Sequence, residues 1–90
     1  MKQDEIYRHL KDLAENLGIR FAEKNFRNAG IPVNSGLCKI EGVFHFYMDK
    51  HKRPREKNEI LANTLSQFPL DDIYIIPALR EFIDQHNDQG

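Results

Sequence analysis

The ninety-residue sequence predicts a small α+β fold, an antiparallel sheet of about three strands covered by helices in the order α-β-β-β-α-(β)-α. Three observations carry this expectation. An amphipathic stripe at helical spacing opens the chain, two alternating runs meet at a glycine near its middle, and two prolines stand at the heads of further apolar stripes.

The opening stripe is Ile6, Leu10, Leu13, Ala14 and Leu17, which predicts a helix from about Lys2 to Leu17. Asp4 and Glu5 in its first turn suit the positive end of the helix dipole, and Gly18 is placed to take the positive φ that closes it. Arg8, Lys11, Asp12 and Glu15 fall on the opposite, solvated face. In residues 19–24, Ile19 and Phe21 alternate with Arg20 and Ala22, the pattern of a half-buried strand. "RNAGIPVNSG", residues 27–36, reads as a loop.

Residues 36–41 and 43–49 predict a hairpin that turns near Glu41-Gly42. In its second strand Val43, His45 and Tyr47 share one face and Phe44, Phe46 and Met48 the other, the second set being the expected core. Pro54 suits the first turn of a helix, where its missing N–H costs nothing. Ile60, Leu61, Leu65 and Phe68 continue that helix and Pro69 stops it. "LDDIYIIP" leaves strand and helix open at Ile73–Ile75; the favoured reading is a brief strand there, then a helix from Pro77 to Gln85 with Leu79, Phe82 and Ile83 inward. The tail "HNDQG" is expected to fray.

Composition bounds the function. With 40% hydrophobic and 30% charged residues the chain has the balance of a folded protein, not of a disordered one. A formal net charge of −1 removes any global pull toward nucleic acid or membrane. Cys38 is the sole cysteine, so no internal disulfide framework exists and a reducing interior is expected. The charged first residues lack the apolar centre of a signal peptide, and no run approaches the roughly 20 apolar residues of a membrane span. The expectation is a cytoplasmic domain with no membrane contact.

One stretch stands out. Within residues 50–57, Lys50, Lys52, Arg53, Arg55 and Lys57 stand against Glu56 alone, a local balance of +4 where the whole chain is −1. A cation at a helix start is disfavoured by ~0.3–1 kcal/mol at an exposed site, yet helix amides and guanidinium groups together suit an arriving anion. These five residues are therefore the candidate anion-binding site. The plainer reading is a solvated loop, because Asp49, Glu56 and Glu59 lie close enough to neutralise part of it. No recognition helix or stacking pattern surrounds the cations, and Phe44, Phe46 and Tyr47 read as sheet core rather than as a platform for bases.

Cys38, His45 and His51 are metal-ligand types, but their spacing is not that of a zinc site, and no metal or cofactor is expected. Asp71-Asp72 read as turn acids. No glycine-rich phosphate loop, nucleophile elbow or HExxH occurs, so no catalytic residue is assigned.

The G-x-C strand at Gly36–Cys38, a second strand ending near Asp49, "ILANTL" and "IYIIPALREFI" together resemble a small bacterial family to which no chemistry is attached, over residues 36–84. That resemblance implies a fold more than a role. A fainter likeness joins the hairpin and following helix to the zinc peptidases that cleave phage repressors. Their helix carries HExxH where this one reads Leu61, Ala62, Asn63, Thr64 and Leu65, so the likeness implies a shell without the enzyme. The expected function is non-catalytic: self-association as a homodimer, or docking to another protein through strand edges and an exposed Tyr47. The alternative is nucleic-acid or other polyanion binding through residues 50–57.

Overall fold

The computed structural model describes residues 1–26 and 36–87. Most of the expected loop (residues 27–35) and the end of the tail (88–90) lie outside the described residues. The element order is α1 (Gln3–Asn16), β1 (Arg20–Lys24), β2 (Gly36–Ile40), β3 (Val43–Asp49), α2 (Pro54–Leu65) and α3 (Pro77–Gln85). This is the expected α+β architecture.

α1 ends as its sequence requires. Gly18 takes φ +82°, its N–H donates to the Glu15 carbonyl at 2.9 Å, and the Ile19 N–H reaches back to the Ala14 carbonyl at 3.0 Å. These two bonds form a Schellman closure, and it drops Ile19 into the core at the head of β1. The hairpin also closes at the expected pair: Glu41 and Gly42 have φ +50° and +83°, and positive φ at both central residues marks a type I′ turn.

The sheet departs from expectation in direction. Its strand order is β1-β3-β2; β2 runs antiparallel to β3, but β1 runs parallel to it, so the sheet is mixed rather than antiparallel. A period-two pattern specifies which face is buried but not which way a strand runs, and the long connection from β1 to β2 leaves either direction open. β3 becomes the central strand, with Phe46 and Met48 fully buried.

Among the described residues the core lies on one side of the sheet. Leu10, Leu13 and Ala14 of α1, Leu61, Ala62 and Leu65 of α2, and Leu79 and Ile83 of α3 cluster with Phe46 and Met48. Ring contacts extend this layer: Phe21 stacks on Phe46 at 5.8 Å and Phe68 meets Phe44 edge-on at 5.3 Å. Phe68 does so from just beyond α2, which stops at Leu65 with Ser66 as its C-cap.

The strand expected at Ile73–Ile75 is not formed. Residues 71–76 are a turn followed by an irregular segment, with the Ile73 N–H on the Leu70 carbonyl at 3.3 Å. This segment links two helices of the same layer, so its extended residues have no strand beside them. Ile75 is buried against the helices instead, and Pro77 heads α3 with Ile76 in extended backbone as its N-cap. α1 and α2 are tied by Asn58, whose Nδ2 donates to the Gln3 backbone carbonyl at 2.9 Å and to Gln3 Oε1 at 2.7 Å.

Candidate functional site

The five cations of residues 50–57 do not form one surface. Arg53 is the N-cap of α2, with Pro54 at the first helical position and no side-chain cap, so the basic turn does sit at the positive end of the helix. Arg55 is paired with Glu59 one turn along, Nε to Oε1 at 3.2 Å. Lys57 turns inward: its side chain is 13% exposed and its Nζ lies 3.1 Å from Glu23 Oε2. Lys50, Lys52 and Arg53 make no ion pair among the described residues. The expected patch of five is therefore a group of three.

Lys57 belongs to a polar cluster that joins three elements. Glu23 Oε2 accepts from Tyr7 Oη and from Lys57 Nζ, while Lys11 and Lys57 lie over the Tyr7 ring at 4.7 and 5.5 Å. Burial, then the Glu23 carboxylate beside it, push the Tyr7 phenol far above its ordinary value. Burial pushes Glu23 upward too, but the Tyr7 and Lys57 hydrogen bonds and the Lys57 and Lys11 charges outweigh it and hold the carboxyl below its ordinary range. A phenol held protonated and a carboxylate held ionised suit a structural tie between α1, β1 and α2. The signal was present in the sequence: continuing the alternation of Ile19 and Phe21 puts Glu23 on the core side, where a charge needs a partner.

The remaining chemistry-bearing side chains are scattered. Cys38 and His45 are direct cross-strand partners on the outer side of the sheet. His51 is drawn elsewhere, its N–H on Asp49 Oδ1 at 3.0 Å and its Nε2 bonded to Asn25 Oδ1 at 3.1 Å. Among the described residues no three His, Cys, Asp or Glu side chains converge as a metal site. Asp71 and Asp72 sit exposed in their turn. A cleft of about 140 Å³ between α1 and the segment before α3, rimmed by His9, Asn16 and Tyr74, is small beside the roughly 300–1,000 Å³ of ordinary ligand sites.

What the fold does present is a sheet face. Because the helices gather on the Phe46–Met48 side, the other side carries no element among the described residues. Val43, His45 and Tyr47 project there from the central strand, flanked by Ala22 of β1 and by Cys38 and Ile40 of β2. None of these belongs to the core, and Ile40 is 46% exposed. The His45 and Tyr47 rings lie 6.2 Å apart and nearly parallel, at 19°. Arg20 pairs across from His45, and Lys24 Nζ lies 5.9 Å over the Tyr47 ring. The basic turn continues this edge, since the Lys50 N–H donates to the Lys24 carbonyl at 3.0 Å. Phe46 is core and Phe44 packs half-buried against it, on the expected face, but Tyr47 stands half-buried on the opposite face.

No helix among the described residues is long and apolar enough to cross a membrane. No family model matches the chain, nor does any curated protein or solved structure, so the resemblance over residues 36–84 stands on its motifs alone.

Proposed function

We propose that this chain is a non-catalytic binding domain, and that the open face of its sheet docks a protein partner. The observation that carries the reading is the one-sided placement of the helices among the described residues, which leaves Ile40 exposed and Val43, Ala22 and the Tyr47 ring half-buried on a face with no described element over it. Aromatic anchors set among smaller apolar residues and rimmed by Arg are the composition of interface centres. The charges on this face are Arg20 and Lys24 of β1 and Asp49 of β3, which lies across from Lys24 and leaves Arg20 as the cation for an acidic group of the partner.

A second reading rests on one observation: stacked His45 and Tyr47 on the central strand, with Arg20, Lys24 and Lys50 alongside. That combination also fits single-stranded nucleic acid, whose bases stack on rings while cations follow its phosphates.

A photoreactive phenylalanine placed at Tyr47, and separately at exposed Arg8 on the helical side, separates these. Irradiation of cells carrying each variant should give a discrete protein adduct from position 47 and none from position 8. A nucleic-acid adduct at 47 moves the assignment to the second reading, with affinity falling steeply as salt rises. Equal labelling from both positions, or none from 47, overturns the proposal.

A further inference from the structure

We propose that the chain forms a two-fold dimer in which β2 pairs antiparallel with β2 of a second copy, centred on Cys38. This goes beyond the docking face and does not depend on it, because it uses the edge of the sheet rather than its surface.

The sheet has two free edges among the described residues, and they differ in chemistry. β1, "RFAEK", carries three charged residues in five, the protection that edge strands commonly use against pairing. β2, "GLCKI", carries one, and its side chains from Cys38 to Ile40 are exposed. The single charge is turned back on its own molecule, since Lys39 Nζ lies 5.1 Å over the Phe44 ring.

The hydrogen-bond phase of the hairpin then selects one register. A two-residue turn makes Ile40 and Val43 a hydrogen-bonded pair. Bonded and non-bonded pairs alternate along an antiparallel ladder, so Gly36, Cys38 and Ile40 direct their backbone groups at β3. Leu37 and Lys39 direct theirs at the open edge. Two copies of β2 satisfy both when Leu37 of one faces Lys39 of the other, on each side of the symmetry axis. Sliding the pairing toward the turn would set Lys39 against Lys39, a like-charge pair. In the chosen register Ile40 lies opposite Gly36, where no side chain obstructs it, and Cys38 meets Cys38 as a non-hydrogen-bonded pair. Such pairs have Cα atoms about 4.5 Å apart, at the short end of the separations a disulfide spans. The two sheets would join into one of six strands, with the open faces continuous.

Sedimentation equilibrium of the reduced full chain should give twice the 10.6 kDa chain mass. Cys38→Arg puts like charges at the axis on an exposed position and should yield a folded monomer. Lys39→Pro removes an edge donor without touching the β3 ladder and should weaken the dimer about tenfold or more. Under diamide, two Cys38 thiols lose two protons and two electrons to the reagent and form one disulfide. That cross-link should form roughly tenfold or more faster in native buffer than in urea. A wild-type chain that stays monomeric at high concentration overturns the proposal, as does a dimer that both variants leave intact. If Lys39→Pro fails to fold by circular dichroism, Cys38→Arg decides alone.

Discussion

Asn58 gives the sharpest test of how the helical layer is held. Its side chain is fully buried, yet only its amide nitrogen is satisfied; Oδ1 is buried and has no hydrogen-bond partner among the described residues. Both neighbours of the nitrogen, the Gln3 backbone carbonyl and Gln3 Oε1, are acceptors. Rotating the amide to pair Oδ1 would therefore set oxygen against oxygen. Two hydrogen bonds contribute about 0.5–1.5 kcal/mol each, and an unpaired buried oxygen costs about 1–3 kcal/mol. These nearly cancel, so Asn58→Leu, close in volume and free of polar atoms, should fall within about 1 kcal/mol of wild type. Asn58→Ala loses the tether and leaves a void, and should cost about 2–3 kcal/mol. Asn58→Asp buries a carboxylate against two oxygens and should cost about 3–5 kcal/mol at neutral pH. Its folded-state pKa is raised, so the penalty should shrink as pH falls toward the ordinary Asp value of roughly 3.9, where the acid binds a proton. Urea denaturation at pH 7 and near pH 4 measures each step. An Asn58→Asp chain as stable as wild type at pH 7, or an Asn58→Leu chain as damaged as the Ala variant, would refute the reasoning.

Other outcomes follow from the same contacts. Glu23 is held ionised in the folded chain, so its contribution is present above the unfolded pKa of roughly 4.3 and is lost as pH falls through the depressed folded value. The stability gap between wild type and Glu23→Gln, read by urea denaturation, should be wide at neutral pH and close in acid. Gly18→Ala meets no atom within 4 Å but must hold φ +82°, and should lower stability by about 1–2 kcal/mol in the same assay. Phe46→Ala, at a fully buried site on the central strand, should cost about 3–5 kcal/mol. That is a large part of what a domain this size holds in reserve, and thermal melting should show it.

Most of the fold was legible because its signals are local. The stripe from Ile6 to Leu17, the glycines at 18 and 42, and Pro54 and Pro77 mark ends that backbone sterics dictate without reference to the rest of the chain. Strand direction was not legible, since β1 shows the same alternation whether it runs with β3 or against it. Ile73–Ile75 misled for a related reason: β-branched residues fit extended backbone, but a strand also needs a neighbour. For the site, the cluster at residues 50–57 was visible as charge, while its division was not. Lys57 and Glu23 are far apart in sequence and meet only because α1 packs against both α2 and β1, which leaves Lys50, Lys52 and Arg53 as the outward remainder. Tyr47 illustrates the converse. Its alternation with Phe46 placed it on the outer face, and only the absence of a covering helix among the described residues makes that face a candidate surface.

Hydroxyl-radical footprinting of the chain, alone and in extract from its native cells, tests the proposed docking face most directly. Tyr47 and His45 should lose reactivity in extract while Tyr74, 84% exposed on the helical side, stays unchanged. Protection at Tyr74 with Tyr47 still reactive would contradict the account and move the binding surface to the helices.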